Sequence, residues 1–145
     1  MKKFLLLILI FCNTNKMTIA APKTNLITKS ISSNNPLKKI IKAIAKSNVY
    51  EIPSVNTTDR STSRQNVQYE ELLKIATVQE LSDLATKNKN TIVRLYAFRA
   101  LVAKQKDIPK NIIDLVLNDN ETVNIKDGDK VAKVPLNSIA KGFLY

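Results

Sequence analysis

The sequence predicts an all-α fold in which a short stack of antiparallel helical hairpins ends in a small C-terminal β-hairpin or irregular flap. Two observations support this prediction. The stretch from 91 to 104 is rich in apolar residues, contains no Gly or Pro, and consists of residues that form helices. The neighbouring stretches repeat the apolar spacing of amphipathic helices, and only the C-terminal tail changes to the alternation typical of strands.

Residues 91–104 are predicted to form the central helix. At about 3.6 residues per turn, both of its sides are apolar, and only Arg94, Arg99 and Lys104 interrupt them. One side carries Val93, Tyr96, Ala97, Ala100, Leu101 and Ala103, and the other carries Leu95, Phe98 and Val102. A helix that is apolar on two sides must be covered on two sides, so we expect other helices to surround it.

The N-terminus has the pattern of a secretory signal peptide over residues 1–20. Lys2 and Lys3 precede a short apolar run, and small residues precede Ala21 at the expected cleavage site. The run is far shorter than the roughly 20 residues that cross a bilayer. We therefore expect an exported protein, periplasmic or secreted. A lipoprotein leader acylated at Cys12 is the less favoured alternative, because the bulky Phe11 precedes that cysteine.

The composition argues against catalysis and against a metal or cofactor. The chain has no His, and its one cysteine, Cys12, lies in the leader, which excludes Ser-His and Cys-His catalysis and structural zinc in the exported chain. Two glycines are too few for a phosphate-binding loop. Four acidic residues near the predicted hairpin lack the ligand spacing of a calcium-binding loop. These residues are Asp119, Glu121, Asp127 and Asp129.

Residues 21–65 form a basic segment, predicted to be flexible except for an amphipathic helix at 36–47. Asn35 is a good N-cap and Pro36 suits the first helical turn. The apolar stripe of this helix consists of Leu37, Ile40, Ile41 and Ile44, and the other side carries Lys38, Lys39, Lys42 and Lys46. The stripe is expected to pack on the core, with the lysines in solvent. The alternative is a helix that binds an anionic membrane surface or another polyanion.

Residues 66–145 form the predicted helical domain, and the polar stretch before them places a domain boundary near residue 65. Thr77 and Glu80 have the spacing of a capping box at the start of a helix. A short polar turn separates that helix from the central one, so the two are expected to lie antiparallel. Another helix is expected after Pro109. The alternating apolar residues on either side of Gly128 predict the β-hairpin.

The two helices around the polar turn resemble the HEAT-repeat superfamily of helical hairpins. The residues that carry the resemblance are Leu81, Leu84, Val93, Arg94, Ala97, Ala100 and Leu101. More narrowly, the block 72–119 resembles uncharacterised exported proteins of Bacteroidota that carry one such unit. The resemblance implies closely packed antiparallel helices and a role in protein binding. In the turn, where HEAT units place an Asp, this chain has Asn88 and Asn90.

From these observations we expect an exported, non-catalytic protein–protein interaction module. Its partner is expected to be another envelope or secreted protein, and the alternative is peripheral binding to an anionic surface through helix 36–47. Nucleic acid is disfavoured, because no aromatic platform accompanies the lysines. The candidate interaction residues are Arg94, Arg99, Lys38, Lys39, Lys42 and Lys46. For the two arginines, an ion pair inside the protein is the favoured interpretation, with Glu80, Asp83 or Asp114 as partner.

Overall fold

The computed structural model describes residues 35–52 and 63–145. The helices in these ranges are α1 (Pro36–Ser47), α2 (Arg64–Ile75), α3 (Val78–Lys87), α4 (Thr91–Lys104), α5 (Lys110–Leu117) and α6 (Leu136–Lys141). The strands are β1 (Tyr50–Glu51), β2 (Thr122–Asp127) and β3 (Lys130–Pro135). The fold is therefore mainly helical, as predicted. The all-α class is too narrow, because the three strands form one sheet.

Helix α4 occupies the centre of this fold. It contacts α1, α2, α3, α6 and β2, and both of its apolar sides are buried as far as Leu101, after which Val102 is half-buried and Ala103 is exposed. Leu95, Ala97, Phe98, Ala100 and Leu101 are each 0% exposed. This burial confirms that α4 is covered on two sides by other elements of the fold.

Local sequence signals set the starts of the helices. The Thr77 hydroxyl accepts a hydrogen bond from the Glu80 amide, and the Glu80 carboxylate accepts one from the Thr77 amide, so the predicted capping box is present. The side chains of Asn35 and Asn90 cap α1 and α4 in the same way, by accepting from backbone amides. Only three residues, 88–90, connect α3 with α4, and these two helices pack closely along their length.

The sheet has the strand order β1-β2-β3. Strands β2 and β3 form the predicted antiparallel hairpin, joined by Gly128 and Asp129. Gly128 has a φ of +57°, which glycine adopts without steric cost, as the first loop residue of a type II′ turn does. Strand β1 pairs parallel to β2, through Tyr50 with Ile125 and Glu51 with Lys126. We expected this part of the chain to be a turn or loop.

Helix α1 packs into the same core as the later helices. Ile44 is fully buried and Ile40 is 8% exposed, and α1 contacts both α2 and α4. Residues 35–52 therefore belong with 63–145, whereas we expected a boundary near residue 65. The predicted signal peptide, Cys12 and most of the predicted flexible segment lie outside the described residues. Within the described ranges, no helix is long and apolar enough to cross a membrane.

Candidate interaction surfaces

Arg94 lies at the N-terminal end of α4 and anchors the segment between α5 and β2. Its Nε donates to Asp119 Oδ2 at 2.8 Å, and its Nη2 lies 3.0 Å from Glu121 Oε2. A third bond runs from Nη1 to the carbonyl oxygen of Asn88 at 2.8 Å. The hydroxyl of Thr91 also donates to Glu121 Oε2. Arg94 is only 8% exposed, so this network holds a buried cation with charged partners.

The charges in this network stabilise one another. Burial disfavours the charged guanidinium, but the hydrogen bonds to Asp119 and Glu121 outweigh that effect and raise the pKa of Arg94. The Thr91 hydroxyl, followed by Arg94, lowers the pKa of Glu121. Arg94 thus forms the internal ion pair that we favoured from the sequence. It uses none of the three acids that we named as candidate partners.

Each of those three acids makes a different local contact, so the expected partners are corrected. Glu80 belongs to the capping box, Asp83 pairs with Lys87 at 2.5 Å, and Asp114 pairs with Lys110 at 2.6 Å. All three contacts join residues three or four positions apart on one helix. The sequence signal for the true partners is weak, because Asp119 lies 25 residues from Arg94.

Arg99, in the middle of α4, packs against aromatic rings. Its guanidinium carbon lies 4.0 Å from the ring centroid of Tyr69 and 5.8 Å from that of Tyr50. Tyr96 lies between these rings, 5.2 Å from Tyr50 and 6.2 Å from Tyr69. Arg99 therefore joins α2, β1 and α4 through cation–π contacts. Burial raises the pKa values of Tyr50 and Tyr69, although Arg99 opposes that effect.

The four lysines of α1 remain on the protein surface. Lys38, Lys39, Lys42 and Lys46 are all exposed, and none takes part in an ion pair among residues 35–52 and 63–145. We call these four residues the lysine face. The opposite side of α1 is held in the core by Ile40 and Ile44, with Leu37, Ile41 and Ala45 packed against it. The structure thus brings the candidate lysines together on one rigid helix.

The four acidic residues near the hairpin, which the sequence analysis compared with a calcium-binding loop, are divided between two places. Asp119 and Glu121 bind Arg94, whereas Asp127 ends β2 at the far end of the hairpin and Asp129 lies in its turn. Across the part of the chain that the structure describes, no group of three potential ligands could hold a metal ion. Only two of the four carboxylates, those of Asp119 and Glu121, pair with Arg94.

Strand β3 is a surface that the sequence analysis did not identify. Its residues 130–133 are exposed, and Val131 keeps 59% of its surface in solvent. Alternation and the glycine turn predicted the hairpin, but they do not show which of its strands lies at the sheet edge. That position depends on β1, which pairs with β2 and leaves β3 at the outside.

Comparisons of this chain with protein-family models, curated proteins and solved structures found no match. The resemblance to HEAT-type helical hairpins accordingly stays a prediction from the residues of α3 and α4.

Proposed function

We propose that the protein is a non-catalytic interaction module that binds an acidic partner protein through the lysine face of α1. One observation carries this proposal. Four exposed lysines without carboxylate partners, among the described residues, lie on a helix whose other side is fixed in the core. The positive charges are held on a rigid element before any partner arrives, which reduces the ordering cost of binding.

The partner is inferred from charge. Exposed cations on one surface attract an acidic protein, increase the association rate and disfavour basic competitors. The whole chain has a formal net charge of +11, so its long-range field also favours anionic partners. The absence of His from the sequence supports a binding role over catalysis by a histidine base.

An anionic membrane surface is the second candidate, because phosphate headgroups would meet the same lysines. The position of α1 argues against a helix that inserts into the bilayer. Interfacial helices bury their apolar side among lipid chains, but Ile40 and Ile44 of α1 are buried in the protein core. Binding to lipid would then depend on charge alone, which makes the protein partner the better supported candidate.

The test measures binding of the full chain to poly-glutamate and, in parallel, to vesicles that contain phosphatidylglycerol. The variant changes Lys38, Lys39 and Lys42 to Gln. The matched control changes Lys89, Lys106 and Lys141 to Gln, three exposed lysines elsewhere with the same total charge. We expect the α1 variant to bind poly-glutamate about tenfold more weakly and the control to bind almost normally.

The control variant distinguishes specific binding at the lysine face of α1 from a general effect of the net charge. Equal losses in the two variants would contradict the proposal, because net charge alone would then explain the binding. Vesicle binding that depends on α1, without any binding of poly-glutamate, would support the membrane candidate in its place. In each case the effect must weaken as salt is added, since exposed charges are screened.

A further inference from the structure

The outer edge of β3 offers backbone groups for another strand. The two-residue loop makes Asp127 and Lys130 a hydrogen-bonded pair, so bonded and non-bonded pairs alternate from there along the hairpin. The bond from the Leu136 amide to the Glu121 carbonyl, at 2.8 Å, fits this alternation at the other end. The backbone groups of Lys130, Ala132 and Val134 therefore face β2, whereas those of Val131, Lys133 and Pro135 face outward.

The outward backbone groups of Val131 and Lys133 have no partner within the described residues. No hydrogen bond there uses the backbone amide of Val131 or of Lys133, and both residues are exposed. The opposite edge of the sheet is different, because the Glu51 amide of β1 donates to the Tyr96 hydroxyl of α4 at 3.4 Å. One edge is thus covered by the helical core and the other is open to a polypeptide.

The side chains of this edge select the kind of strand that can pair with it. Lys130 and Lys133 form no ion pair with any described residue, and Val131 is exposed between them. Two copies of β3 would bring like charges together, so the lysines disfavour self-pairing. A strand with carboxylates opposite the two lysines and an apolar residue opposite Val131 complements both the charges and the exposed methyl groups.

We propose that β3 binds an extended acidic segment of a partner protein, which adds to the sheet as an antiparallel fourth strand. The amides and carbonyls of Val131 and Lys133 supply the backbone hydrogen bonds, and Lys130 and Lys133 select the carboxylates. This site is separate from the lysine face of α1, so either surface can bind without the other. The proposal thus stands on the hairpin geometry and not on the role proposed for α1.

The probe is a six-residue peptide with Glu at its third and sixth positions, Val at its fifth and Thr elsewhere. In antiparallel register these positions face Lys133, Lys130 and Val131. Peptide is added to the full chain, and amide hydrogen exchange is followed residue by residue. We expect exchange to slow at Val131 and Lys133, and not at Lys130 or Ala132, whose amides already face β2.

Two variants separate backbone pairing from charge. Val131→Pro removes an outward donor without removing a bond to β2, and Val131→Thr keeps that donor while reducing apolar surface. We expect at least about tenfold weaker peptide binding for Val131→Pro, but nearly normal binding for Val131→Thr. Lys130→Glu with Lys133→Glu should reverse the preference, so that the peptide with Lys in place of Glu binds more tightly.

The outcomes distinguish this proposal from the role proposed for α1. Slowed exchange at Val131 and Lys133 that persists when Lys38, Lys39 and Lys42 are Gln supports an independent site on β3. Peptide binding that the α1 variant abolishes, with no change of exchange in β3, overturns the proposal for β3. The proposal is also overturned if correctly folded Val131→Pro, checked by its circular dichroism and unfolding temperature, binds the peptide normally.

Discussion

At the scale of single residues, Arg94 is a buried charge that several contacts must compensate. It is a buried cation that depends on a nearly buried carboxylate, since the side chain of Asp119 is 17% exposed. Removing one member of a buried ion pair leaves the other charge without compensation, which costs more than the pair contributes when it is intact. The stability of the junction between α4 and β2 should therefore depend strongly on Arg94.

The first prediction is that Arg94→Met lowers the free energy of unfolding by about 3 kcal/mol. Methionine keeps much of the apolar stem but leaves Asp119 partly buried without its cation. Glu121→Gln is the control, and we expect its free energy of unfolding to fall much less, because the side chain of Glu121 is 65% exposed. Urea denaturation of the two variants provides the measurement. Equal and small losses in both would show that the buried pair does not stabilise the fold.

Tyr96 connects the core with the sheet and should make stability depend on alkaline pH. Burial raises its pKa from 10.0 to about 12, although the hydrogen bond from the Glu51 amide favours the ionised form. Below pH 10 the hydroxyl is neutral in both the folded and the unfolded chain, so its contribution is fully present. Between pH 10 and 12 the unfolded chain ionises first, and this contribution to stability is lost as pH rises.

The second prediction compares the natural chain with Tyr96→Phe across that range. The natural chain should lose more stability than the variant between pH 10 and 12, with a difference of about 2 kcal/mol at the upper limit. Tyr50 and Tyr69 also have raised pKa values, so some pH dependence remains in the variant. Unfolding free energies measured at a series of pH values test this expectation. Parallel curves for both proteins would rule out the assigned role of Tyr96.

At the scale of elements, the sequence predicted what local contacts determine. The capping box of α3, the asparagine cap of α1 and the glycine turn of the hairpin each involve residues within four positions of one another. The apolar sides of α4 could also be predicted, because the helical period alone determines which residues share a side. These elements were expected from the sequence, and the structure contains them.

Elements that depend on distant partners could not be predicted in this way. Strand β1 has only two residues, and it pairs with Ile125 and Lys126, far along the chain. Nothing in Tyr50 and Glu51 themselves indicates that pairing. Similarly, Gln65 and Gln68 of α2 are only 6% and 9% exposed, although glutamine is mostly exposed in folded proteins. The two candidate sites differ in the same way. The lysine face could be predicted from helical spacing, whereas the open edge of β3 depends on the long-range pairing of β1 with β2.

At the scale of the whole described fold, the main difference from the sequence analysis is the domain boundary, because α1 shares one core with the later helices. We expected a domain boundary near residue 65, because the stretch after Ser47 is polar and long, although we also expected the apolar stripe of α1 to pack on the core. The apolar stripe of α1 packs against α2 and α4, so residues on both sides of that polar stretch contribute to the same core. The lysine face is consequently presented by the same core that presents the edge of β3.

The third prediction tests whether this core unfolds as one unit. Ile44 of α1 is fully buried, so Ile44→Ala should lower the free energy of unfolding by about 3 kcal/mol through lost burial and the cavity that remains. Because α1 shares its core with α4, the variant should still show a single unfolding transition, at lower urea concentration and with the same slope. Lys42→Ala, on the exposed side of α1, is the control and should change little. If α1 were only loosely attached, Ile44→Ala would leave the main transition in place, and amides of α1 would exchange independently of those of α4.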